Sequence, residues 1–213
     1  MNRATHIVAS TFGAVMGIAG LEHGIGEALQ GNAAPGPMPF QSWPNSEAFK
    51  ILGGEPAMTI LPSMLLAGIL TILLSIAVIA WSLTSMRSKW GSPILFLLAI
   101  GLLLSGGGYA PPVLGVVTAL GALLVHARVG WLHSNVPSFI KQGAARLWGW
   151  VFGLCLVLWF YLFPGSIILA ALFGLSNSAW IVAVAFPALG FLVLTFVVAF
   201  GSDVAHGIVA QAA

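Results

Sequence analysis

The sequence predicts an all-α, polytopic integral membrane protein: one domain of six transmembrane helices, with a small helix in its first external loop. Three observations predict it. Hydrophobic residues make up 59% of the 213 residues, charged residues only 6%, and mean hydropathy is +1.04. A soluble domain of this size carries about 25% charged residues. Seven basic and five acidic side chains cannot cover such a surface. Disordered chains are polar, so disorder is excluded as well. The second observation is a set of long charge-free windows. The third is the placement of Lys and Arg at the ends of those windows. The basic residues form no stripe, so nucleic acid is not a partner. The partner that the composition names is the lipid bilayer.

A spanning helix needs about 20 apolar residues. Span 1 is expected over 7–29, where a Pro-rich polar segment ends it. Arg3 and the following apolar stretch resemble a signal peptide, but the stretch resumes through Ile25 to Leu29, so a retained helix is expected. Span 2 is expected over 58–84, stopped by Arg87 and Lys89. The window 90–127 has no charge and would be about 57 Å long as one helix. Its centre reads Gly106-Gly107-Gly108-Tyr109-Ala110-Pro111-Pro112, which ends one helix and starts another. Spans 3 and 4 are therefore expected over 93–105 and 112–125.

The window 147–202 would be about 84 Å long as a helix and must turn back. Leu175-Ser176-Asn177-Ser178 is the turn signal. Span 5 is expected over 147–175, fed by a helix start near Val136, and span 6 over 179–201. Pro164-Gly165 should kink or break span 5. A full break there would give seven spans. Six spans put Arg3, Arg87, Lys89, Arg128, Lys141 and Arg146 on the cytoplasmic side and only Lys50 outside. That bias favours six spans, both termini cytoplasmic, and a plasma (inner) membrane. In the external loop, 30–57, a short helix is expected, capped by Asn45 or Ser46 and ended by Gly53.

The polar residues of span 1 carry the functional expectation. Gly13, Gly17, Gly20 and Gly24 fall on one face and let another helix approach closely. Glu27 continues that stripe, His23 flanks it, and Glu22 points roughly the opposite way. Ionisable groups are costly in lipid and should face protein or a cavity. Glu55, just before span 2, can reach the same level. The expected outer cluster is thus Glu22, His23, Glu27 and Glu55.

His23 and Glu27, at i and i+4, share a face and can grip a metal, with Glu22 or Glu55 completing the site. Closely placed carboxylates can also carry a proton or bind a small polar solute. The plain structural alternative is a satisfied network that ties the loop to the end of span 1. A second polar group, His6, His126, Asp203 and His206, is expected at the cytoplasmic end, with His133 nearby. Bis-His ligation of a haem there has no support beyond the histidine count. Cys155 is alone, so no intramolecular disulfide forms. No G-x-S-x-G, P-loop or dinucleotide fingerprint occurs, and the sequence names no cofactor.

Three functional classes follow. The first is binding or translocation of a small solute or ion at a polar site near the outer face. The second is an intramembrane metal-dependent enzyme using His23 with Glu22, Glu27 or Glu55. The third is an accessory subunit of a larger complex, with a membrane protein or a second copy as partner.

Overall fold

The computed structural model describes residues 2–174 and 177–206. Of the described residues 77% are helical, and the fold is all-α. Four helical segments are long and apolar enough to cross a membrane: Arg3–Leu29, Met64–Thr84, Ser138–Phe173 and Ser178–His206. Two shorter apolar helices, Gly91–Ser105 and Ala110–His126, lie between them. The elements are α1 (Arg3–Leu29), α2 (Met64–Thr84), α3 (Gly91–Ser105), α4 (Ala110–Ala122, prolonged by a 3-10 turn over Leu123–His126), α5 (Gly130–Asn135), α6 (Ser138–Phe160), α7 (Ser166–Phe173) and α8 (Ser178–His206).

The glycine stripe makes α1 the central helix. Over half of its apolar window is buried, against a third or less for the other long segments. Gly24 and Gly68 bring the backbones of α1 and α2 together: a Cβ on Gly68 would lie 2.6 Å from Gly24 O and nearer still to Ala28 N. Only hydrogen at Cα permits that approach. Phe12 and Met16 of α1 then bury fully with Leu95 and Leu102 of α3, Leu114 of α4 and Leu192 of α8.

The helices run between two ends. At the first, Asn2 Nδ2 donates to Leu124 O at 2.6 Å, and Asp203 of α8 accepts from the Ala4 and Thr5 amides at 2.9 Å each. At the second, Thr59 Oγ1 donates to Ser105 O at 2.9 Å and the Ile60 amide to Leu104 O at 3.1 Å. The start of α1 and the ends of α4 and α8 thus share one end, while the end of α3 meets the 31–63 loop at the other.

Several boundaries differ from expectation for local reasons. The second helix starts at Met64, not 58, because Pro62 cannot continue a helix and Ser63 caps it, its Oγ accepting from Leu66 N. The fifth apolar segment starts at Ser138, after Pro137, close to the helix start expected near Val136 that feeds the span placed over 147–175. Pro164 neither breaks nor ends it. The chain passes through a π turn over Tyr161–Gly165, where the Ser166 amide bonds to Tyr161 O, five residues back. The missing proline N–H is absorbed, and the helix continues as α7. The segment that a seven-span arrangement would divide is thus one continuous helical run over Ser138–Phe173.

The last helix runs past Gly201 to His206. Of the expected turn before it, Leu175 and Ser176 lie outside the described residues; Asn177 Oδ1 accepts from the Ala179 amide at 3.0 Å. The loop helix is a 3-10 helix over Glu47–Leu52. Gly53 ends it at φ +65°, but the Ser46 side chain makes no capping bond.

Candidate functional site

The loop-end turns of α1 present Glu22, His23 and Glu27. The loop that follows folds back over them. Gln30 Nε2 donates to Ser42 O at 2.9 Å, pinning the loop to the helix end. A two-residue antiparallel pairing, Phe40–Gln41 with Pro56–Ala57, then brings Ser42 and Glu55 together, the Ser42 amide donating to Glu55 O at 3.0 Å. Glu55 adopts φ +56°, the one non-glycine residue in the left-handed region among the described residues. Such a conformation costs roughly 1–3 kcal/mol and persists where the surroundings over-determine it. Here it turns the carboxylate toward α1.

The result is a carboxylate on each side of one imidazole. His23 is 1% exposed. Its Nδ1 lies 3.1 Å from Ala19 O and 3.1 Å from Glu22 Oε2. Its Nε2 lies 3.1 Å from Glu55 Oε2, but no acceptor meets it in hydrogen-bond geometry. Glu22 Oε1 also lacks a partner. One ligand atom from each of Glu22, His23 and Glu55 can be chosen so that all three fall within 4.8 Å of one another. Among the described residues no Lys or Arg pairs with any of these carboxylates; the one Lys ion pair is Lys50 with Glu47, both exposed.

Glu27 belongs to the same region but faces elsewhere. It is fully buried, Oε1 accepts from Ser42 Oγ at 3.2 Å, and Oε2 has no hydrogen-bond partner. The trio that could hold an ion is therefore Glu22, His23 and Glu55, not the i, i+4 pair of His23 and Glu27. That pair shares a face, but Glu27 continues the glycine stripe past His23, toward the α3–α4 turn.

That turn is the part of the site sequence reasoning missed. Gly106 (φ +130°) lies against the Glu27 carboxylate, and Gly108 (φ +70°) against the His23 ring. A Cβ at either position would overlap those groups. Gly106–Gly108 reads as a hairpin turn and is one. A third glycine, more than a turn needs, was the only trace of the close approach. Beside it, Thr71 Oγ1 donates to Ser105 Oγ at 2.9 Å, which in turn donates to Leu102 O.

The second polar group is dispersed. His6 Nε2 lies 3.3 Å from Ser10 Oγ, His126 Nε2 3.2 Å from Ser88 O, and His206 Nδ1 2.8 Å from Ser202 O. Asp203 accepts from the Ala4 and Thr5 amides and from Thr5 Oγ1, capping α1. These four residues make no hydrogen bond or ion pair with one another. His133 Nδ1 lies 2.7 Å from Val204 O. Asp203, His133 and His206 are used at helix ends, where free amides and carbonyls need partners, while His6 meets a side-chain hydroxyl within α1.

A cavity of about 550 Å³ opens beside the trio, between α1 and the α6–α7 segment. Glu22 and Glu55 are its polar lining residues; the rest is apolar, including Val15, Trp159, Phe163 and Ile167. Compared with known proteins, the chain matches no family model, no curated protein and no solved structure.

Proposed function

We propose that this chain is a six-span membrane protein, both termini cytoplasmic, that binds a first-row divalent metal ion near its outer face through Glu22, His23 and Glu55. The observation that carries the metal is the His23 imidazole: buried, held through Nδ1, and left with Nε2 beside a carboxylate and without a hydrogen-bond partner. Metal-ligating histidines characteristically engage the second ring nitrogen with a backbone carbonyl or carboxylate; Ala19 O and Glu22 supply both. Two ligands about 2.1 Å from one ion are about 3.0 Å apart at a right angle and about 3.4 Å apart at the tetrahedral angle, and Nε2 and Glu55 Oε2 lie 3.1 Å apart, between the two. A divalent ion would also balance two carboxylates that no Lys or Arg pairs. One nitrogen and two oxygens suit zinc, manganese or iron.

The span count rests on the alternation of helix ends and on the basic bias, six residues against Lys50. Helices α3 and α4 are short for a core of about 30 Å; local thinning of the bilayer accommodates short spans. Reporter fusions at the C-terminus and near Lys50 are expected to report opposite sides, and the same side for both would overturn the topology.

The metal is tested by elemental analysis of the full chain, purified in detergent, loaded with Zn²⁺ and desalted. About one zinc per chain is expected. Glu55→Gln and His23→Gln keep the approximate shape and should weaken zinc binding at least tenfold. A wild-type chain that retains neither Zn²⁺ nor Mn²⁺, or variants that bind as wild type does, would overturn the reading. A carboxylate near each ring nitrogen favours a second reading, proton transfer along Glu22, His23 and Glu55. It predicts no bound metal.

A further inference from the structure

The cavity beside the trio has a mouth of a particular kind. Ile18 and Phe160 are each 61% exposed and Ile168 45%, and all three line it. In a bilayer an opening flanked by such side chains faces acyl chains, not water. Water inside it would find hydrogen-bond partners only at the Glu22 and Glu55 end, and a buried water needs two to four of them. The volume, about 550 Å³, falls within the range of about 300–1,000 Å³ that holds small ligands. The π turn at Tyr161–Gly165 shapes the far wall, where Phe163 and Pro164 enter the lining. Apolar walls thus lead from a lipid-facing mouth to two carboxylates and a buried imidazole.

We propose that this cavity takes the chain of a single-chain acyl lipid, drawn sideways from the bilayer, with its head-group oxygen presented to the Glu22–His23–Glu55 site. The head-group half rests on the metal reading above. Without a cation, two carboxylates repel a carboxylate head; a divalent ion reverses that and offers the oxygen a coordination position. The chain half rests on the cavity alone. A metal site with three protein ligands and an open position is the kind that receives a substrate or ligand atom. The cavity leads to Glu22 and Glu55.

The test uses the full chain in detergent, loaded with Zn²⁺ or stripped by a chelator, and a diazirine-tagged palmitic acid as probe. After illumination, adducts are mapped by peptide mass spectrometry. They should concentrate on residues 15–22 and 156–168, fall with excess untagged palmitate, and fall at least fivefold when zinc is removed. Val15→Trp and Ile167→Trp fill the cavity from opposite walls. Each should cut labelling at least fivefold while zinc content stays at the wild-type value. Two variants guard against a packing defect in either one, and retained zinc shows that the site end is intact.

Adducts spread evenly over all lipid-facing helices would overturn the lipid proposal. So would labelling unchanged in both Trp variants, or displacement by a sterol but not by palmitate. Zinc bound with unspecific labelling leaves the metal reading standing and this proposal refuted. Labelling that is specific in a chain that binds no zinc refutes the head-group half and the metal reading together.

Discussion

Replacing Gly108 by alanine probes the contact that closes the site from above. Gly108 has φ +70°, and its added Cβ would lie 2.5 Å from His23 Cδ2 and nearer still to Nε2, far inside ordinary contact of about 3.5–4.0 Å. The ring cannot swing away freely, because Nδ1 is held by Ala19 O and Glu22. Two costs add: about 1–2 kcal/mol for an L-residue in the left-handed region, and about 1–3 kcal/mol for overpacking a filled site.

Gly31 separates them. It has the same φ, +70°, and nothing within 4 Å of its added Cβ. Gly31→Ala therefore carries the backbone cost alone, and the effect of a methyl group on the unfolded chain is common to both variants. Thermal unfolding in detergent, followed by tryptophan fluorescence, should place Gly108→Ala about 2–12 °C below Gly31→Ala, at about 2–4 °C per kcal/mol for a chain of this length. Zinc retention should fall in Gly108→Ala and not in Gly31→Ala. Equal midpoints, with zinc retained in both, would refute the claimed contact between the turn and the imidazole.

Gly68→Ala should be among the most damaging single-methyl changes, several degrees below wild type, since its Cβ meets the α1 backbone at Gly24 O and Ala28 N. Gly101→Ala is the matched control. Its Cβ would lie 3.6 Å from Leu74, an ordinary contact, and the gain in helix propensity, up to about 1 kcal/mol, should leave it neutral or more stable. A melting series that ranks the two the other way would contradict the packing of α1 on α2. Asp203→Ala removes three hydrogen bonds to the start of α1. It should lower stability by about 1.5–3 kcal/mol while zinc content is unchanged; lost zinc would mean that the two ends are not independent.

The helices were legible because lipid punishes charge so heavily that charge-free windows mark them almost unaided. What the windows could not supply was where a helix begins inside its window. Ser63 after Pro62 is a local chemical start to which hydropathy is blind, whereas Ser134, Asn135 and Pro137 marked the start of the fifth segment near Val136. Pro164-Gly165 pointed to a kink or a break, and the structure answers with a π turn that spends the missing N–H without ending the helix.

At the site, burial cost alone pointed to Glu22, His23, Glu27 and Glu55 as the costly residues. It could not say which of them meet. Glu22 and His23 are neighbours on α1, and Glu55 reaches them through a left-handed backbone at a non-glycine position, a conformation no propensity assigns to glutamate. Glu27 was grouped with them by helical periodicity, which describes one helix and not the turn that arrives against it.

The hydrogen bonds between Asp203 and Thr5 join positions 198 residues apart. During synthesis at about 5–20 residues per second, roughly 10–40 s separate the emergence of one from the other. For that interval the first amides of α1 have no carboxylate to cap them. Glu55, by contrast, follows His23 within a few seconds at the same rate. The end built from Glu22, His23 and Glu55 can assemble around α1 and α2 while the Asp203 end stays open, and α8 is the helix that locks α1 there.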